Sequence, residues 1–370
     1  MVFEKLRKNG LPRRKFNTLL GLAGLGLALT VSACIPKATV ENNPVANSSN
    51  STGKMPEEIR VGYQVIPNAE LLAKSQGMVE ENLPGVEVEW VQYSSGGDVN
   101  QAMMAGEIDL GLAGSVPVST GIANNLPYQV YFIHDIIGEN EALAIKPESG
   151  IVRLADMKGK TIAVPFGSTT HFSLLSALRE NGVDAAEVKI VDMSPDETLA
   201  AWQQGTIDGS FIWHPVLGKL QEDDGIVITS AKQLADEGII TADLAVVHQD
   251  FVSQYPEAVE KYVMALDEAV DFYRADPEAA AQAISDELGL APEQSLSAMN
   301  ELVWLSAKEQ ASIKYLGTSD ASGALGKVLL ESAEFMVTQG AIEQAPELAS
   351  YNAAIYNSAV NSAGGAVAAK

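Results

Sequence analysis

The chain has 370 residues, with 48 Asp/Glu against 24 Lys/Arg, a formal charge of −24 and a single cysteine. So acidic a chain repels phosphate backbones and anionic headgroups, which excludes nucleic-acid binding and a polybasic membrane contact. One cysteine excludes an internal disulfide, so stability must come from burial, and the 315 residues beyond position 55 suffice for two ordinary domains.

The N-terminus carries Lys5, Arg7, Lys8, Arg13, Arg14 and Lys15, then an apolar run over 19–29, then Thr30-Val31-Ser32-Ala33-Cys34. A basic region, an apolar run too short to anchor in a bilayer and small residues before a cleavage point make an export signal over 1–33. Its removal takes away six Lys/Arg and one Glu, leaving a charge of −29 on the remainder. Val-Ser-Ala before Cys34 resembles the bacterial lipobox, in which the cysteine receives the lipid and becomes the new N-terminus. The alternative is an ordinary signal with an incidental cysteine. Arg13-Arg14-Lys15-Phe16 resembles a twin-arginine signal, with Pro12 in place of the usual Ser or Thr, so that route and general secretory export both stay open. Residues 34–55, rich in Asn, Ser, Pro, Thr and Ala, read as a flexible tether.

Short β-branched or aromatic runs then alternate with helical stretches. Strands are expected at 59–65, 86–92, 108–112 and 128–133, with helices near 68–75, 98–105 and 116–124. The rhythm restarts after Glu141, with strands near 142–145, 161–164, 188–191, 209–212 and 244–248 and helices starting near Thr170, Pro195 and Pro215. Repeated βα units of this spacing imply two successive α/β lobes with largely parallel sheets. Beyond Asp250 the pattern is helical only, over 256–274, 277–288, 292–302 and 323–338, the first three opening on a proline whose missing N–H costs nothing in a first turn. This block is expected to pack back onto the first lobe, and the Ala/Asn/Ser/Gly stretch after Ser358 to fray. No solenoid period and no heptad run is present.

Five segments carry a resemblance: Ile59-Arg-Val-Gly-Tyr-Gln64, Gly111-Leu-Ala-Gly-Ser-Val-Pro117, Gly138-Glu-Asn-Glu-Ala-Leu143, Val164-Pro-Phe-Gly-Ser-Thr-Thr-His-Phe-Ser-Leu-Leu175 and Ala201-Trp-Gln-Gln-Gly-Thr-Ile-Asp-Gly-Ser-Phe-Ile-Trp213. Together, in this order, they resemble the taurine-binding proteins of ABC importers, over roughly 55–339. The resemblance implies a type II periplasmic-binding fold: two α/β lobes joined by two crossings, with a helical C-terminal segment, closing on a ligand. On that template lobe I is 56–138 plus 245–360, lobe II is 139–244, the crossings fall near Glu141 and Asp243, and 361–370 is a disordered tail. It also implies a permease with its ATPase as partners, a monomer, and no cofactor.

The chemistry of the residues fits such a ligand. A sulfonate is a weakly basic monoanion, well served by neutral donors at helix N-termini. Gly114-Ser115 and Gly167-Ser168-Thr169-Thr170-His171 stand at two such starts, with Gly114, Ser115, Thr169, Thr170 and His171 the expected sulfonate contacts, although Ser and Thr there also serve as ordinary caps. Beyond residue 55 the arginines are Arg60, Arg153, Arg179 and Arg274, and none lies in these segments, which favours a singly charged group over phosphate or a dicarboxylate. The ammonium of taurine needs carboxylates once desolvated. The resemblance places Glu141 and Asp243 there; solvated acids at a lobe crossing are the alternative.

Phe211 and Trp213 are expected to wall the cleft, with Tyr63 and Gln64 closing from lobe I, although aromatics at strand ends are often core. Relatives commonly have Tyr at the position of Phe211 and a small residue at that of His214. Trp202 is assigned to packing. His134, His171, His214 and His248 have no metal-ligand spacing. No Gly-x-Ser-x-Gly elbow, Walker A loop or cysteine nucleophile is present, and a relative of this fold that makes a thiamine pyrimidine precursor uses a His/Cys-rich chemistry this chain lacks. A binder is therefore expected, for taurine, for alkanesulfonates or another small anion such as nitrate, or as a chemosensor without an importer.

Overall fold

The computed structural model describes residues 53–367. The export signal, Cys34 and the tether up to residue 52 lie outside the described residues.

The β-branched runs form strands β1 (Glu58–Tyr63), β2 (Glu87–Gln92), β3 (Leu110–Gly114), β4 (Tyr128–Ile136), β5 (Glu141–Ile145), β6 (Thr161–Val164), β7 (Lys189–Asp192), β8 (Gly209–Trp213), β9 (Ile226–Ser230) and β10 (Ala242–His248). They build two five-stranded sheets, ordered β2-β1-β3-β10-β4 and β7-β6-β8-β5-β9. In the first, β1 is parallel to β2 and β3, while β10 runs antiparallel to β3 and β4. In the second, β6 is parallel to β7 and β8, and β5 is antiparallel to β8 and β9.

The strand order follows from two crossings. The chain leaves the first sheet after Ile136, builds the second, and returns at Ala242 as β10, inserted between β3 and β4 and therefore opposed to both. The two crossing segments are tied by the Ile137 N–H, which donates to the Thr241 carbonyl at 3.0 Å. Since β10 joins the first sheet from Ala242, that lobe starts three residues before the expected boundary at 245.

Helices Pro256–Ala275, Pro277–Leu288, Pro292–Asn300 and Leu325–Thr338 follow the helical pattern of the sequence. The first buries Tyr262, Val263, Leu266 and Val270 in one core with Leu71, Tyr131, Phe132 and Val246 of the first lobe. The second sheet packs on both faces, with Leu143, Phe211, Leu174 and Leu178 on one side and Ala142, Ile212, Trp202 and Leu217 on the other.

Two further expectations fail. Strand β9 was not anticipated, although Ile226-Val-Ile-Thr-Ser has the composition of a strand; it is an edge strand with Ile226 and Val227 exposed, so it lacks a buried run. The stretch after Ser358, expected to fray into a disordered tail at 361–370, forms the helix Ser358–Val367 instead and packs against the Pro256–Ala275 helix. Ala359, Val360 and Ala363 are buried there, and a Cβ at Gly364 would come 2.9 Å from Lys308 Cα. The small residues that look like low complexity let two backbones approach closely.

Candidate functional site

Strand polarity assembles a single cleft. Parallel strands deliver their C-terminal ends, and the antiparallel strands β5 and β10 their N-terminal ends, to the gap between the sheets, where open α/β sheets place ligands. A small polar cavity, of about 30 Å³, lies there. Gln64 follows β1, Gly114 ends β3, Ser168 and Thr169 follow β6, Trp213 ends β8, Glu141 opens β5 and Asp243 is the second residue of β10; all line it.

Two helix N-termini meet across the gap. Gly114 caps the helix Ser115–Ala123 of the first lobe with no side-chain bond, and Ser168 caps the helix Thr169–Glu180 of the second through its Oγ, which accepts from the His171 N–H at 3.1 Å. The first-turn N–H groups of both helices have no intrahelical acceptor, so each end presents donors and a partial positive charge. The two ends touch: a Cβ on Gly114 would lie 2.7 Å from Thr169 Cγ2. Around them Phe172 meets Phe335 edge to face at 4.9 Å, and His214 Nε2 lies 3.2 Å from Glu301 Oε2, so the lobes are closed on each other.

Two carboxylates share the cavity with these donors. Glu141 is 4% exposed; its Oε1 accepts from the Thr169 hydroxyl at 2.5 Å, and its Oε2 has no partner. Burial, then the neighbouring Asp243 charge, pushes the Glu141 carboxyl up to about 8 against the pull of the Thr169 hydroxyl. Burial likewise pushes Asp243 up to about 7. Among the described residues no cation forms an ion pair with either, so both are costly as anions, and an ammonium would relieve both.

Of the expected site residues, Gln64, Gly114, Glu141, Thr169, Trp213 and Asp243 come together. Gln64 is held by its Nε2, which donates to the Leu112 carbonyl at 3.0 Å. Five do not line the cavity. Ser115 is fully buried and its Oγ accepts from the Ala242 N–H at 3.2 Å. Thr170 is fully buried, its hydroxyl 2.8 Å from Ser168 Oγ. His171 stacks on Phe166 at 4.6 Å, and its Nδ1 accepts from the Gly167 N–H at 3.2 Å, in keeping with a neutral ring whose pKa burial lowers.

Phe211 is core: it sits two residues before the strand end, about 7 Å below the sheet edge, against Leu174 and Leu178. Tyr63, by strand alternation, points away from the cleft and packs edge-on to Trp90 at 6.0 Å under Lys74. The cavity adds Ile66, Gly96, Pro117, Asn140 and Ser168. Ser168 belongs to the helix start read from the sequence, and Asn140 was within reach, since it adjoins Glu141 in a quoted segment. Gly96 was not, because its role is to let the Pro117 ring come near, 2.6 Å from where a Cβ would be. Among the described residues no group of His, Cys, Asp and Glu is arranged to hold a metal ion.

The chain is 31% identical over 290 residues to the taurine-binding periplasmic protein of Escherichia coli (strain K12), covering 77% of this chain and 87% of that one. Its fold resembles that of the alkanesulfonate-binding protein SsuA from Xanthomonas axonopodis pv. citri bound to MOPS, with a TM-score of 0.68 and 22% identity over 82% of this chain and 99% of that one. The desulfurization enzyme DSZB is also similar, with a TM-score of 0.60 and 16% identity over 83% and 99%, so the fold alone does not separate binder from enzyme. Residues 69–280 match the family model described as NMT1/THI5 like. On that match, and on an identity that spans most of both chains, the protein belongs to the NMT1/THI5-like family, with the two-lobed fold of its periplasmic binding proteins.

Proposed function

We propose that this protein is the extracytoplasmic substrate-binding component of an ABC importer and that taurine is its ligand, held between the lobes. The observation that carries this is the pairing of opposites in one cavity: donor-rich helix ends at Gly114 and Thr169 beside the carboxyls of Asp243 and of Glu141, whose Oε2 has no hydrogen-bond partner. A sulfonate suits the first and an ammonium the second, with Trp213 and Gln64 against the two-carbon spacer. Binding shifts an open–closed equilibrium, and the closed lobes form the surface a permease and its ATPase would read. Taurine has about seven non-hydrogen atoms; at a ceiling of roughly 1.5 kcal/mol per atom its affinity is bounded near 10 kcal/mol, or tens of nanomolar.

A second reading, an alkanesulfonate binder, is favoured by the structural likeness to SsuA. Its ligand would leave Glu141 without a counter-ion. Calorimetric titration of the signal-free chain with taurine and ethanesulfonate decides: heat with taurine is expected, and heat with ethanesulfonate alone would overturn the taurine assignment. Export, a lipid on Cys34 and a monomeric state belong to the same proposal; a Cys34→Ala chain that still sediments with membranes would remove the anchor.

A further inference from the structure

A third carboxylate stands behind the two that line the cleft. Asp135 is the penultimate residue of β4 and is paired in register with Asp243 of β10. Glu141 opens β5 on the far side of the first crossing. The three acids therefore bracket both passages of the chain between the lobes. Asp135 is fully buried and neither of its carboxylate oxygens has a hydrogen-bond partner; Oε2 of Glu141, beside the cavity, has none either. Among the described residues none of the three joins an ion pair.

Among the described residues no cation answers them from the surrounding elements. The helix Thr169–Glu180 offers the Thr169 hydroxyl, which donates to Glu141. The helix Ser115–Ala123 offers Ser115, whose Oγ is taken by the Ala242 N–H. The charges that act on Asp135 are those of Asp243 and Glu141. His134, its neighbour in β4, stands 4.0 Å from Glu70, and His214, which follows β8, lies 3.2 Å from Glu301. Three adjacent carboxylates, two buried and Asp243 half-buried, cannot all be ionised without a counter-charge. Burial first, then the charges of Asp243 and Glu141, hold Asp135 well above the usual carboxylate range.

Building on the taurine assignment, we propose that Asp135 is a positioning residue that sets the charge of the cleft. It keeps the empty acid cluster protonated, so that uptake of a cationic ligand is an exchange. The ammonium enters intact, the O–H bond of one carboxylic acid breaks, and its proton passes to the solvent. Plain anions bring no cation to exchange for the proton, so their binding releases none. Because binding releases a proton, affinity rises with pH while the cluster titrates, by up to about tenfold per pH unit for one proton.

The test is calorimetry of taurine binding to the signal-free chain at pH 6.5, in phosphate and in Tris, whose heats of ionisation differ, for the native protein and Asp135→Asn. The native protein is expected to release about one proton per taurine. Asp135→Asn is expected to release less than half of that and to lose most of the pH dependence of affinity, with a melting curve no worse than native because no bond of Asp135 is lost. A purely structural role would change melting and leave the proton count alone. Equal heats in the two buffers for the native protein, or an unchanged count in the variant, overturn the proposal. Should Asp135→Asn fail to fold, Asp135→Ser takes its place, and the native buffer comparison still decides. Absence of any heat with taurine removes the taurine assignment and this proposal together; heat without proton release removes this proposal alone.

Discussion

Two sets of acids are buried in this protein, and they differ in what they face. Glu70, on the helix Ala69–Ser75, is 1% exposed and accepts a hydrogen bond from the Tyr262 hydroxyl at 2.8 Å, with His134 at 4.0 Å. Burial pushes it up to about 8 and lowers His134 to about 3, so a neutral acid and a neutral imidazole sit together in the lobe core. Glu141 is pushed up to about 8 as well, also by burial first, yet it looks into a cavity between helix N-termini. A raised carboxyl is therefore not in itself a sign of a site. It becomes one where the carboxyl lines a cavity beside helix N-termini, as Glu141 does.

Three experiments sharpen or break that contrast. The largest effect is expected from Glu70→Ala, which empties a packed position and strands the Tyr262 hydroxyl; it should cost about 2–4 kcal/mol of stability by denaturant titration and leave taurine affinity within about twofold. A loss of affinity there would mean the two sets of acids are coupled. Next come Glu141→Gln and Asp243→Asn, each expected to weaken taurine more than tenfold, about 1.4 kcal/mol or more, with melting unchanged or raised. Wild-type affinity in both would end the counter-ion assignment.

The smallest effect concerns pH. Glu141 and Glu70 are raised in the folded chain from 4.5 to about 8 and Asp243 from 3.8 to about 7, so between those limits the native state holds protons the unfolded chain has shed. Stability of the empty protein is then fully present at low pH and falls as pH rises toward 8. Taurine cancels only the share of the cleft acids, so its rise in melting temperature should exceed the rise at pH 5 by a few degrees at pH 8. Equal rises would place the titrating groups in the core rather than the cleft.

The parts of this molecule legible in the sequence are those set by local pattern. β6 occupies 161–164 as its β-branched run predicts, and the three helices that open on Pro256, Pro277 and Pro292 begin where those prolines allow. Glu141 and Asp243 were legible because ordered motifs carry them. Depth and direction were not. Phe211 and Trp213 look alike in a sequence, yet only the last residue of β8 reaches over the sheet edge. Tyr63 and Gln64 are adjacent, so alternation sends them to opposite sides. Asp135 left a trace, a charge inside the apolar run Tyr131-Phe-Ile-His-Asp-Ile-Ile137, and went unread because its meaning depends on β10, over a hundred residues later.

The missing side chain at Gly114 has one more consequence. Since the first lobe meets Thr169 of the second there with no room to spare, the glycine works as a calibrated stop that fixes how near the lobes come and thus the thickness of ligand they can grip. Any larger residue at 114 would reset that gap, and selection among head groups would be tuned by one backbone position that never needs to touch the ligand with a side chain.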